Sequence, residues 1–211
     1  MRKLLLATSF LVAATPAAVM ASEFSITAGA TLTSRYMSNG QAVSKGLAFQ
    51  PYVEAEVSGF YAGLWASNIS DPAVADYEVD VYFGYRNEIG NFSYDVGYAR
   101  YFLRSPNSVS GEFILSAGVQ VTDTVAVGGT VKYDPSAKVY NISANGGISV
   151  TDAVSVDMTI GGVTSGGGFK YGILGVNYAV TPDLTATLAY HDSTVGKGRA
   201  VLSLDYSFSI R

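Results

Sequence analysis

The feature that most constrains this chain is a period-two alternation of apolar and polar residues through nearly all of its length. Phe24, Ile26, Ala28, Ala30 and Leu32 alternate with Ser25, Thr27, Gly29, Thr31 and Thr33. Tyr77, Val79, Val81, Phe83 and Tyr85 alternate with Glu78, Asp80, Tyr82, Gly84 and Arg86. Ala200 through Ile210 repeats the pattern at the other end. Successive side chains of a strand point to opposite faces, so each stretch predicts a strand with one apolar and one polar face. No stretch has a convincing helical period. Parity is clear for the first, fourth, eighth and twelfth strands and ambiguous near Tyr171–Tyr178, which leaves the strand count open by two.

Turn signals divide the pattern into units of one size. Short turns are expected at Ser58-Gly59, Glu88-Ile89-Gly90, Thr122-Asp123, Thr151-Asp152 and Thr181-Pro182-Asp183. From Gly59 through Gly90, Asp123 and Asp152 to Asp183 the spacings are 31, 33, 29 and 31 residues. Each interval holds two strands of about ten residues and one longer loop, the dimensions of a membrane β-hairpin. The longer connections are expected near 35–47, 69–76, 103–110, 134–138, 164–168 and 192–198. They carry Asn39-Gly40, Asp71-Pro72, Ser105-Pro106, Asp134-Pro135 and Gly166-Gly167-Gly168. Counting gives about twelve strands. The predicted fold class is all-β, a transmembrane up-and-down antiparallel barrel.

Composition supports that class. Charged residues make up 14% of the chain against 48% hydrophobic, with Gly 23 and Tyr 15. A soluble domain carries about 25% charged residues. A barrel whose outer face meets lipid needs fewer, and its apolar residues are diluted to every second position. Aromatics cluster where two headgroup levels should lie. Phe24, Phe60, Tyr85, Phe92, Tyr178, Tyr206 and Phe208 sit near the short turns; Phe49, Tyr77, Phe113, Tyr133, Tyr140, Phe169 and Tyr190 sit near the long loops. The barrel must also close, first strand on last, because hydrocarbon offers no water to an unpaired edge.

The N-terminus reads as a secretory signal peptide over 1–21. Arg2 and Lys3 precede an apolar run from Leu4 to Ala14, too short to span, and Val19-Met20-Ala21 fits a small-residue cleavage site. The barrel would then be residues 22–211, located in the cell outer membrane of a Gram-negative bacterium. Loss of Arg2 and Lys3 takes the net charge from −4 to −6. That argues against nucleic acid as a partner. Cysteine is absent, which excludes disulfides and thiolate metal sites. No metal or other cofactor is implied.

Ser34-Arg35-Tyr36 at the end of the first strand, and Phe60-Tyr-Ala-Gly-Leu-Trp-Ala-Ser-Asn68 after an acidic strand, resemble the proteobacterial TorF family of porins, long classed as conserved hypothetical proteins. The detailed resemblance covers the N-terminal third. That family has Arg-Gly after the first-strand tyrosine, where this chain has Asn39-Gly40, and Ser38 replaces an aromatic. The resemblance implies an outer-membrane pore and carries no catalytic residues.

The polar face is rich in acids. Parity points Glu54, Glu56, Glu78, Asp80, Asp95, Glu112, Asp157 and Asp205 inward, against Arg86 and Lys132. These eight are the candidate pore-lining residues. Carboxylates on an aqueous wall favour cations. Asn141, Ser143, Asn145, Gly147 and Ser149 are small and polar and leave room for water. His191 also points inward, with no serine placed to act with it, so an enzyme is not expected. Trp65 shares a face with Tyr61 and Ser67, which suggests packing inside the barrel. Gly161-Gly162 and Gly166–Gly168 lack the Gly-Lys-Ser/Thr of a phosphate loop.

Two functions suit such a barrel. One is a porin for passive diffusion of small hydrophilic solutes or ions, with cation preference. The other is a narrow structural or ligand-binding barrel without an open pore. The expected partners are outer-membrane lipids, the barrel-assembly machinery and the small solutes themselves; the reading admits an oligomer.

Overall fold

The computed structural model describes residues 24–71, 75–104 and 109–210. The expected signal peptide, 1–21, lies outside the described residues. Twelve strands close into one antiparallel barrel. They are β1 (Ser25–Thr33), β2 (Ala48–Val57), β3 (Phe60–Asp71), β4 (Ala75–Ile89), β5 (Phe92–Leu103) and β6 (Val109–Gln120), then β7 (Val125–Asp134), β8 (Val139–Ser149), β9 (Val154–Val163), β10 (Phe169–Thr181), β11 (Leu184–Ser193) and β12 (Arg199–Ile210). Each pairs with its sequence neighbours. The seam pairs β1 with β12 from Ile26↔Ile210 to Thr33↔Ser203, which closes the barrel along that stretch.

The short turns have local causes. Ser58 and Gly59 both have positive φ, 51° and 83°, the two-residue turn whose twist matches a hairpin. The repeated Val-Thr-Asp motif is a hydroxyl-capped turn. Thr122 Oγ1 accepts from Val125 N (3.1 Å), and Thr151 Oγ1 from Val154 N (3.0 Å). Thr181 Oγ1 accepts from Asp183 N in the third copy.

Two boundaries differ from the sequence reading. Glu88 and Ile89 remain in β4, paired with Ser93 and Phe92, and Gly90-Asn91 makes the turn. Ladder pairing carries the chain past the polar residues that suggested a turn. For the same reason β3 continues to Asp71, paired with Ala75, so the connection expected over 69–76 is shorter.

The alternation settles which face is which. Val53, Leu64, Val81, Phe83, Leu202 and Leu204 are exposed on the outer face. Glu54, Glu78, Asp95, Asp157 and Asp205 are buried on the inner one. The ambiguous stretch resolves with Tyr171 and Ile173 buried inside and Leu174, Val176 and Tyr178 exposed outside. Ile173 breaks the pattern because its face meets packed side chains rather than water: it lies in a small cluster with Val163 and Tyr171. Outward aromatics pair at both ends. Phe60 lies on Tyr85 (4.7 Å between centroids) at the short-turn end, and Tyr133 stacks on Tyr140 (4.5 Å) at the long-loop end.

Placing arginine at Val81 or Leu204 should therefore lower stability in lipid by about 2–4 kcal/mol. Thr185→Arg, on the inner face opposite Asp205, should cost much less. Gly84 is unsuited as the inner-face comparison, because the Tyr61 ring lies over it. Urea unfolding in vesicles measures the difference; equal losses on the two faces would reverse the assignment.

Candidate functional site

The inner face is not uniform. On β2 to β6 it carries most of the rings and charges; on β7 to β11 Gly, Ser, Thr and Asn predominate, with Lys132, Asp157, Tyr171 and His191 among them. Tyr52, Tyr61, Trp65, Tyr82 and Tyr101 all point inward, each opposite another inward residue: Tyr52↔Trp65, Trp65↔Asp80 and Asp80↔Tyr101. The rings lie along the wall because glycines on adjoining strands leave room. A methyl group at Gly63 would collide with the Tyr82 ring, and one at Gly161 with the Tyr171 ring. A tyrosine flattened on a glycine occupies less of the lumen than one standing upright.

All eight sequence-predicted carboxylates lie on the inner face, in three arrangements. At the short-turn end, Arg86 joins several of them. Its guanidinium pairs with Glu54, lies within ion-pair distance of Glu56 (Nε to Oε2, 3.5 Å) and sits 4.0 Å over the Tyr61 ring. Tyr61 in turn donates to Asp95 Oδ1 (2.7 Å). Arginine suits this hub because its planar fork serves two carboxylates while its face packs on an aromatic. Arg86 therefore offsets part of the charge of Glu54 and Glu56, one guanidinium against two carboxylates.

At the long-loop end, Glu78, Asp80 and Glu112 lie on β4 and β6, with Tyr101 Oη donating to Glu112 Oε2 (2.7 Å). Lys132 on β7 is the inward cation of that level. Asp157 and Asp205 stand apart and are held singly. Asn177 Nδ2 donates to Asp157 (2.7 Å), and Thr31 donates to Asp205.

The first long connection is the part that sequence reasoning missed. The sequence marks it only as a longer connection near 35–47; in the structure it folds into the barrel. Met37–Ser38 and Gln41–Ala42 form a tiny hairpin whose tip is Asn39-Gly40, both with positive φ (50° and 73°). Asn39 accepts from Asn141 Nδ2 (2.8 Å) on β8, and Tyr171 donates to the same Asn141 (2.9 Å). Gly40 packs against the Asp192 carbonyl and Tyr171 so closely that a side chain would not fit. On the other side, Tyr36 meets Trp65 edge-on at 5.5 Å. The hairpin thus bridges the wall of β3 to that of β8, β10 and β11. The Asn-Gly pair was a visible turn signal; nothing local says that the turn points inward.

Below this bridge a cavity of about 390 Å³ reaches the short-turn end. Arg86 and Asp95 border it on one side and Ser116, Thr130 and Asn145 on the other. His191 faces inward opposite Ile173 and Arg199. Among the described residues no group of three or more His, Cys, Asp or Glu could hold a metal.

The comparisons agree with the barrel. Residues 17–175 match the profile of a family described as a bacterial protein of unknown function (Gcw_chp), a stretch that includes Ser34–Tyr36 and residues 60–68. No curated protein matches the sequence. Among solved structures, the KdgM porin superimposes with a TM-score of 0.68 at 12% identity, over 87% of this chain and 99% of that one. KdgM in complex with disordered oligogalacturonate gives 0.67 at 12% identity, over 87% and 99%. The NanC porin gives 0.56 at 12% identity, over 90% and 100%. At that identity the likeness shows the fold.

Removing the hub should be more harmful than removing a free wall charge. Arg86→Gln leaves Glu54 and Glu56 facing each other without a cation, and a broken buried pair costs about 3–5 kcal/mol. Lys132→Gln should cost far less, since among the described residues Lys132 forms no ion pair. Unfolding midpoints in detergent compare the two, and equal effects would remove Arg86 from its central role.

Proposed function

The chain belongs to the Gcw_chp family of bacterial proteins of unknown function, and we propose that it is an outer-membrane porin for passive diffusion of small hydrophilic solutes or ions. One observation carries the reading. A closed barrel with an apolar outside holds its luminal rings flat on glycines and so keeps an internal cavity that reaches the short-turn end. Twelve strands fall between filled eight-stranded barrels and wide sixteen-stranded channels. The short turns would face the periplasm and the longer loops the exterior.

We assign the pore a cation preference carried by Glu78, Asp80 and Glu112. Arg86 offsets part of the charge of Glu54 and Glu56, so these two should matter less than Glu78 and Asp80. KdgM is solved with oligogalacturonate, a polyanion; an acidic wall would disfavour such a solute here. A second reading has its own support. The Asn39-Gly40 hairpin bridges the lumen, as it would in a narrow structural barrel.

Planar-bilayer recordings of the refolded chain in a potassium chloride gradient separate the two. A porin gives stepwise conductance with cation preference. That preference should shrink in molar salt, where the screening length falls to about 3 Å from about 10 Å at 0.1 M. Glu78→Gln with Asp80→Asn should remove much of the preference, and Glu54→Gln little. Deleting residues 37–43 should raise conductance. Anion preference in the unmodified protein would sink the selectivity assignment, and complete absence of conductance would favour the structural barrel.

The partners of assembly follow from the same location: outer-membrane lipids and the barrel-assembly machinery. Phe208 is exposed on the outer face at the short-turn end of the last strand, 6.2 Å from Tyr206. Phe208→Ala should lower the assembled amount in membranes more than deletion of Arg211. Immunoblots of heat-modified and unmodified bands give the comparison, and the opposite order would reassign the signal.

A further inference from the structure

The seam between the first and last strands does not stay sealed to the long-loop end. Ladder pairing of β1 with β12 stops at Thr33↔Ser203. One further level is closed by Ser34 N to Leu202 O (2.8 Å) and by Leu202 N to the Ser34 hydroxyl (3.0 Å). Beyond it the strands part around a cleft of about 360 Å³ lined by Ser34, Arg35, Gly198, Arg199 and Ala200. Strand geometry turns the backbone N–H of Ala200 to the same side as that of Leu202, into this cleft, with no β1 partner left to receive it.

Two cations share the cleft. Continuing the seam register places Arg35 beside Val201, one diagonal step from Arg199. Like charges on adjoining strands destabilise a sheet unless something lies between them. Arg35 spends one N–H on the Ser44 carbonyl (2.9 Å), and among the described residues it forms no ion pair. Arg199 is half-buried, sits opposite His191 and forms no ion pair among the described residues. The nearby carboxylate Asp192 accepts from Ser193 N through its Oδ1 (2.9 Å). Two guanidinium forks, with the Ala200 N–H directed to the same side, supply several donors at one place, which suits the oxygens of a tetrahedral or planar anion.

We propose that this cleft is a binding site for a phosphate group, held by Arg35 and Arg199 at the long-loop end of the seam. The phosphate could be carried by a soluble molecule at the mouth or by a lipid headgroup at the rim; the chemistry is common to both. The proposal goes beyond the porin reading and is independent of it, since binding is measured without conductance.

The test uses the refolded full chain in phosphatidylcholine nanodiscs. Inorganic phosphate is titrated by calorimetry at constant ionic strength set with chloride. Saturable binding is expected, weakened at least tenfold by Arg199→Gln and only partly by Arg199→Lys, which keeps the charge but loses the fork. Lys170→Gln, an exposed cation of the same end on β10, should leave it unchanged. Arg35→Gln should also weaken binding; because Arg35 also holds Ser44, Arg199→Gln is the deciding variant. In a second arm the nanodiscs contain diphosphoryl lipid A, and the thermal midpoint is read. A rise seen in the unmodified protein and lost in Arg199→Gln assigns the phosphate to a lipid. Binding of free phosphate without that rise assigns it to a soluble molecule. Neither response in the unmodified protein, or equal responses in Arg199→Gln, would overturn the site.

Discussion

Closure of the backbone ladder is the constraint on which the rest depends. Each strand has two edges lined with N–H and C=O groups, and an outer face of valine, leucine and phenylalanine cannot hydrate them. The chain meets this by pairing Ile26–Thr33 with residues from the far end of the sequence, Ser203–Ile210. Once the ring is closed, the period-two alternation assigns every side chain without further choice. Apolar groups go outward. Carboxylates, amides and hydroxyls go into one enclosed space, where they must satisfy one another. The hydrogen bonds of Asp95, Asp157 and Asp205 to Tyr61, Asn177 and Thr31 are the result.

That enclosure also explains the lopsided lumen. An arginine that serves Glu54 and Glu56 needs an aromatic face to lie on, and Tyr61 needs a glycine beneath it. The demands of one charge thus propagate across several adjacent strands. They leave the facing wall free to be small and polar. The two halves present different surfaces to anything between them: most of the carboxylates and rings on one side, mainly amides and hydroxyls on the other, with Asp157 and Tyr171 among them.

The fold was largely legible in the sequence, because strand period, turn chemistry and hairpin length are local and repeat along the chain. The repeated Val-Thr-Asp turns announced themselves, and their threonine hydroxyls supply the reason. The inward direction of the eight carboxylates followed from parity alone. Parity fails where the inner face is packed, as at Ile173. It is also silent about partners: that Arg86 would join Glu54 and Glu56 depends on register across β2, β3 and β4, which no single strand encodes. The inward fold of the first long connection was illegible for a similar reason. Its tip is held by Asn141 and by the Asp192 carbonyl, both distant in sequence. The only local trace was a glycine after asparagine, which fits an outward hairpin equally well.

The contact between Asn39 and Asn141 joins residues 102 positions apart, and it spans the interior rather than the wall. A contact of that kind has no meaning in an open sheet. Until β1 has met β12, the wall carrying Asn141 is not held opposite the loop that leaves β1, and the entropy of bringing them together is not repaid. The hairpin tip can therefore dock only in a finished cylinder. Its position distinguishes a completed ring from a sheet that has all its neighbouring strands paired but has not yet curled shut.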